Sequence, residues 1–422
     1  MDTGDTAWIL ASSALVLLMT PGLAFFYGGM TRAKSVLNMM MMSFAALAIV
    51  PVLWVLYGYS FAFSPGGNGW LGGFDRLGFT NIGVETAYGT IPEFVFAGFQ
   101  LMFAIITVAL ISGAIADRAK FSGWVVFVAV WVTIVYFPVA HWVFDFGDDG
   151  GWIATQLEAV DFAGGTAVHI NAGAAGLALA LVLGKRTGWK RDPMRPHNLP
   201  FVLLGAGLLW FGWFGFNAGS AVGANGLAGL AFVNTAVATG AAIAGWLAYE
   251  LVKEKKGTSL GAASGAVAGL VAITPAAGAL SPFGSIVLGL IAGIACAAAV
   301  SLKWKLGIDD SLDVVGVHLV GGLIGTVLIG FLATTSTGGG APVDGLFYGG
   351  DAALLGKQVL AAVVVMVFSF VLTYIIGKLI DVTIGFRIDP DDEVAGIDQV
   401  EHLESAYDYT GGSGGSPFKT GV

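Results

Sequence analysis

Eleven apolar runs, each near the ~20 residues a helix needs to cross a bilayer, dominate the chain and leave it few folds. They cover approximately 7–29, 37–63, 92–116, 122–146, 163–184, 199–221, 227–252, 258–280, 283–304, 313–334 and 354–384. Lipid offers no partners to backbone N–H and C=O groups, so runs of this length must bond internally as helices. The pattern predicts an all-α integral membrane protein with eleven transmembrane helices. Residues 1–384 then form the transmembrane domain and 385–422 a C-terminal tail. Charged residues make up only 11% of the chain, against about 25% in a soluble domain. Its 64 glycines suit a tightly packed bundle, because small residues let helix backbones approach for van der Waals contact. The first run lacks a basic leader and a small-x-small cleavage site, and reads as a spanning helix rather than a signal peptide.

An odd number of spans puts the termini on opposite sides. With the N-terminus outside, seventeen of the 19 lysines and arginines fall on cytoplasmic segments, and only Arg76 and Lys357 fall outside. Basic residues beside helix ends stay cytoplasmic, so the expected orientation in the cell membrane is N-out, C-in. The net charge of −9 and the absence of a basic stripe exclude nucleic acid as a partner. A single cysteine, Cys296, inside the ninth run, builds neither a disulfide framework nor a metal cluster. The long connections 64–91 and 335–353 have the Gly, Pro, Asn and Thr content of surface loops. The tail is acidic around Asp389 to Glu404, ends in a flexible TGGSGGS composition, and is too short for a core of its own. It can still dock on the cytoplasmic face.

An internal repeat is visible. The fifth run opens with Asp161-Phe-Ala-Gly-Gly-Thr-Ala-Val-His169 and the tenth with Asp310-Ser-Leu-Asp-Val-Val-Gly-Val-His318, and a glycine follows each histidine at the same distance, at Gly176 and Gly325. The fifth helix starts outside and the tenth inside, so the two segments run oppositely. That predicts an inverted repeat of five plus five helices, about 7–184 and 199–334, with helix 354–384 left over.

Of five histidines only His169 and His318 lie deep inside spans. Ionisable groups there are costly and face a cavity or one another. A two-fold axis would bring these two together, each imidazole having a donor and an acceptor nitrogen to share. Desolvation disfavours the charged ring, so the pair stays neutral or shares one proton. A plain helix-packing hydrogen bond is the alternative. Asp161, ahead of Gly164, Gly165 and Thr166, has the pattern of a helix cap and would leave a fixed negative charge behind a vestibule. Asp310 is its counterpart, with Asp313 one turn on. In the sixth run Trp213, Phe216 and Ser220 share a helical face, as do Phe99 and Phe103 in the third. Aromatic faces attract a small cation and a hydroxyl accepts its N–H bond; membrane packing is the other use of such stripes. No HExxH, GxSxG or cysteine pair suggests an enzyme.

PGLAFFYGG (Pro21 to Gly29), WVLYGYS (Trp54 to Ser60), FQLMFAIIT (Phe99 to Thr107), DFAGGTAVHINAG (Asp161 to Gly173), WFGWFGFNAGS (Trp210 to Ser220), ASGAVAGLVAITPAAG (Ala263 to Gly278) and DDSLDVVGVHLVGG (Asp309 to Gly322) together resemble the ammonium transporter, methylammonium permease and Rhesus family, on its ammonium transporter side. The resemblance covers nearly the whole chain. It implies a homotrimer with one pore per subunit, an ammonium or methylammonium substrate, no cofactor or metal, and a PII-type regulator on the cytoplasmic face. Recruitment positions carry over to Phe103, Phe144, Asp161 and Ser220, and a phenyl gate to Phe103 and Phe216. Pore positions carry over to His169, His318, Leu23, Phe26, Tyr27, Trp213 and Val314, with a vestibule hydroxyl at Thr274. The implied activity is recruitment of ammonium outside, its deprotonation, and passage of ammonia past the twin histidines; a passive gas channel and an ammonium sensor are the rivals. Two positions depart from the family pattern. Phe144 stands where a recruitment tryptophan is usual, with Trp142 pointing about 200° away on a regular helix and Trp152 a candidate to fill in. Leu403 stands where the tail usually has glycine.

Overall fold

The computed structural model describes residues 1–407; the TGGSGGS stretch and Lys419 lie outside them. The described residues are helical apart from loops and one two-stranded pairing, Ala87–Tyr88 against Ile91–Pro92. Among the described residues ten helices are long and apolar enough to cross a membrane: α1 (Thr3–Met30), α2 (Ala33–Phe63), α3 (Glu93–Ile115), α4 (Phe121–Phe144), α5 (Gly165–Leu183), α6 (Leu199–Gly219), α7 (Gly226–Glu254), α9 (Pro282–Leu306), α10 (Val315–Leu332) and α11 (Ala352–Thr383). The remaining predicted span, 258–280, is shorter as a helix: α8 covers only Ser259–Ile273. Pro275 has no N–H to continue the ladder, and the chain runs on in turns to Leu280. Irregular backbone at this depth requires burial in protein. Here it has it, since Thr274, Ala276, Ala277 and Leu280 are all fully buried. Its carbonyls accept from Phe162 N–H at Pro275 (3.0 Å) and from the Asn234 amide at Ala277 and Leu280 (both 2.8 Å).

Glycine sets the helix spacing. A Cβ on Gly289 or Gly293 of α9 would stand 2.3 and 2.1 Å from the carbonyls of Ala238 and Ala242 of α7. The repeated arms meet in the same way. A Cβ on Gly173 would stand 2.4 Å from Leu319 N, and one on Gly322 would stand 3.0 Å from Ile170 Cγ1 and 3.1 Å from His169 Cβ. Both pairs obey the offset of 149 positions that relates His169 to His318. Contact of one arm's residue with the other's partner, and the reverse, is what a two-fold relation produces. Each arm also opens in a wide π-turn holding its histidine, Gly165–Ile170 and Val315–Leu319.

The face where α6 ends and α5 begins is termed the vestibule face, and the other the tail face. The two isolated basic residues of the vestibule face are paired, Arg76 with Glu93 at 2.9 Å and Lys357 with Glu158 at 2.7 Å. On the tail face Arg186 joins Asp309 (2.8 Å) and Asp117 (3.1 Å), while buried Arg118 donates to Asp309 O at 2.7 Å. The described tail docks there through α12 (Pro390–Ala395) and α13 (Ile397–His402). Asp398 accepts from Leu37 N (3.0 Å) and Asn38 N (2.8 Å), and Glu401 from Phe121 N (3.0 Å). Leu403 ends α13 at φ +55° with its side chain 80% exposed. That conformation is natural to glycine and costs a β-carbon residue about 1–2 kcal/mol, which accounts for the glycine usual at this position and not for the leucine.

Leu403→Gly should therefore stabilise tail docking by about 0.5–1 kcal/mol, after allowing for the greater freedom of glycine in the undocked tail. Hydrogen exchange at the amides of Ile397–His402 should slow; faster exchange would show that the leucine side chain itself holds the tail.

Candidate functional site

The carboxylate of Asp161 gathers the opening of α5. Its oxygens accept from Gly164 N at 2.8 Å, Gly165 N at 2.6 Å, Thr166 N at 2.7 Å and from the Thr166 hydroxyl. Gly164 makes this possible at φ +114°, a conformation open to glycine alone among common residues. Burial raises the carboxyl above its ordinary pKa, and the hydrogen bonds from Thr166, Gly164 and Gly165 oppose that shift. The matching Asp310 accepts from Val314 N at 3.1 Å and Val315 N at 2.7 Å. Asp313 instead pairs with Lys303.

Between these capped openings the histidines meet. His169 Nδ1 lies 3.3 Å from His318 Nδ1, with ring centroids 5.4 Å apart and planes 19° from parallel. One of the two nitrogens must donate and the other accept, so the rings hold opposite tautomers or share a proton. His169 Nε2 is buried and meets no hydrogen-bond partner in the protein. The ring lies against Trp213 (5.4 Å) and Phe216 (6.1 Å). Trp213 is itself pinned, its indole N–H donating to Thr274 Oγ1 at 2.8 Å, and Thr274 in turn donates to Leu270 O at 2.8 Å. The Thr274 hydroxyl thus holds the Trp213 ring in place beside His169.

Towards the vestibule face, Phe216 packs on Phe103 with ring centroids 4.2 Å apart and planes at 36°. Phe103 in turn meets Phe144 at 6.2 Å. Beyond them lies a small cavity of about 70 Å³ lined by Phe103, Phe144, Ser220 and Gln100, with Tyr88 and Phe162 among the aromatic walls. The Ser220 hydroxyl donates to Phe216 O at 2.8 Å, which leaves its lone pairs to accept from a guest. Gln100 Oε1 is a second acceptor, buried and unpartnered. Sequence reasoning missed Gln100, although it lies one turn before Phe103 and extending the Phe99/Phe103 face would have found it. Tyr88 and Phe162 lie on connections with no periodic signal.

Trp152 does not fill the place of the missing tryptophan. Its ring lies tilted against Trp70 at 5.5 Å and Trp142 at 6.0 Å, and Trp142 donates its indole N–H to Trp70 O at 2.9 Å, so all three brace the loop beside α4. His141 is buried in the same region, its ring nitrogens 2.9 Å from Ala62 O and 2.7 Å from Asn68 O. On the tail side of the histidines, Tyr27 donates to Leu110 O at 3.1 Å, and a Cβ on Gly113 would touch both Tyr27 and Val314. Leu23 and Phe26 are buried on the same helix as Tyr27. No cluster of three metal-ligating side chains exists among the described residues.

Residues 7–407 match the model of the Ammonium Transporter Family. The chain belongs to this family. It is 57% identical to an ammonium transporter of Mycobacterium bovis, over 98% of this chain and 92% of the relative, and 49% identical to one of Bacillus subtilis, over 96% and 99%. Among solved structures it resembles Saccharomyces cerevisiae Mep2, with a TM-score of 0.84 at 34% identity over 92% of this chain and 91% of that one. A protein described as a sensor Amt protein matches with a TM-score of 0.87 at 29% identity over 94% and 98%. The family is one of transporters, and its members among these structures are helical membrane proteins like this multi-pass chain.

Replacing the vestibule phenyl with an indole adds quadrupole strength worth about 0.5–1 kcal/mol to a bound cation. Phe144→Trp should lower the half-saturation concentration for methylammonium uptake by about two- to five-fold. An unchanged value would remove Phe144 from the recruitment surface.

Proposed function

We propose that this ammonium transporter family member recruits ammonium outside, separates it from a proton at the vestibule, and passes ammonia inward between the twin histidines, with the proton following separately through the pair. The observation that carries this reading is the unbroken file of rings Phe144, Phe103, Phe216, His169 and His318, each neighbour within 6.2 Å centroid to centroid. A bare ammonium ion loses its hydration in such a file and gains few fixed charges in return, so the whole ion is excluded. Ammonia, being neutral, is not. The phenyl pair Phe103 and Phe216 acts as the gate, and Leu23, Phe26, Tyr27, Trp213 and Val314 as apolar wall.

Selection of the cation falls to the vestibule. Phe103 and Phe144 offer ring faces, Ser220 and Gln100 offer acceptors, and Asp161 supplies a negative charge behind the wall. The unpartnered His169 Nε2 receives what comes through the gate, and the 3.3 Å contact between the rings gives a proton a path that ammonia need not share. The orientation is N-out and C-in. In the working assembly three subunits each carry a pore, and the tail face receives a PII-type regulator. The likeness to a sensor Amt protein favours a second reading, in which binding at the vestibule is reported through the docked tail. That reading predicts binding without flux.

The carboxylate of Asp161 is the decisive group for recruitment. Asp161→Ala should abolish methylammonium uptake in proteoliposomes while the protein remains folded and assembled. Near-normal uptake by correctly assembled variant would remove Asp161 from its assigned role.

A further inference from the structure

The helix left over from the repeat, α11, grips one of the two histidine arms on both sides of its working stretch. Gln358 is fully buried, and its side-chain amide meets the backbone of Val160 twice: Oε1 accepts from Val160 N at 2.7 Å and Nε2 donates to Val160 O at 2.7 Å. A third bond runs from Nε2 to Thr326 O in α10 at 3.2 Å. About three helical turns further on and on the same face, Ser369 donates to Asn171 O at 2.8 Å. Val160 immediately precedes Asp161, and Asn171 follows His169 by two residues. The strap therefore brackets the stretch from the carboxylate to the pore histidine.

A two-point contact between a carboxamide and the N–H and C=O of one residue copies the pairing of neighbouring antiparallel strands, and it fixes the rotation of the residue it holds as well as its position. The equivalent position of the other arm is Asp309, by the same 149-residue offset. It too is held on two sides, by the Arg186 guanidinium at 2.8 Å and by Arg118 on its carbonyl at 2.7 Å. On the tail face buried charged groups do this work. At Val160 the holding group is neutral, so it adds no field of its own beside the vestibule carboxylate.

We infer that Gln358 is a positioning residue for ammonium recruitment: by clamping Val160 it sets where the Asp161 carboxylate and its capped turn stand behind the vestibule. The inference rests on the recruitment reading above. Without the amide, Val160 loses the partners of both its backbone groups, and the segment between Leu157 and Phe162 can rotate. Phe162, a wall of the vestibule, moves with it. The histidine file downstream stays anchored by Ser369 and by the glycine contacts between the arms. The loss therefore falls on affinity from the vestibule face and not on the rate of passage.

The test is initial-rate methylammonium uptake in proteoliposomes, normalised to folded assembled protein, for Gln358→Met and Gln358→Glu beside wild type and Asp161→Ala. Gln358→Met keeps the volume and removes every hydrogen bond; Gln358→Glu keeps the acceptor for Val160 N–H and loses the donor when ionised. The expected result is a half-saturation concentration raised about ten-fold in Gln358→Met, equivalent to about 1.4 kcal/mol, and raised in Gln358→Glu, with maximal rates within two-fold of wild type. Wild-type half-saturation with a reduced maximal rate, or failure of both variants to assemble, would assign Gln358 to folding and overturn the inference. If Asp161→Ala abolishes uptake while both Gln358 variants keep wild-type affinity, the inference alone fails. If Asp161→Ala transports normally, the recruitment reading fails first.

Discussion

In hydrocarbon no water is at hand to satisfy a polar group, and the rest of this structure follows from how the chain meets that condition. The two Asp-capped π-openings are its sharpest expression. Each places the start of a helix inside the protein with its free N–H groups turned to a carboxylate, and each thereby allows a histidine to sit deep in the bundle. The histidines then share one contact, which leaves His169 Nε2 without a partner in the protein. The irregular stretch after α8 survives at membrane depth for the same reason, since Asn234 and neighbouring loops take up its carbonyls.

Polar satisfaction also divides the labour along the path. Acceptors with lone pairs to spare, Ser220 and Gln100, stand before the phenyl pair, and beyond it the only polar atoms in the ring file are the imidazole nitrogens. On the proposed reading a cation is recognised where it still has water and a ring face, and what passes the phenyl pair is judged by the cost of desolvation. Opposite tautomers on the two rings leave the pair able to hand on one proton; on the proposed reading ammonia takes the apolar space beside them.

Much of this was legible in the sequence, and the limits are instructive. Helix positions followed from run length because lipid permits little else, and the Asp-to-His spacing exposed the repeat because a two-fold arrangement demands the same local turn twice. Period-based reasoning placed Trp213, Phe216 and Ser220 on one face for the same reason. It overran α8, where a proline ends the helix while the burial that tolerates the break comes from distant segments. Trp152, a candidate raised by the resemblance for the missing tryptophan, instead meets Trp70 and Trp142 from separate parts of the chain, and period-based reasoning missed Tyr88 and Phe162, which only tertiary folding brings to the vestibule. Gly173 and Gly322 were in plain view within the quoted motifs; their meaning, a close approach of one arm to the other, needed coordinates.

Passage of the proton through the histidine pair, apart from ammonia, is the centre of the proposed account, and an electrical measurement reaches it most directly. Proteoliposomes holding wild type or His169→Ala, given an ammonium pulse, should show an inward transient current in the wild type that falls at least about ten-fold in the variant, the loss of one relay group worth about 1.4 kcal/mol or more. A variant current of wild-type size would contradict passage of the proton through the pair.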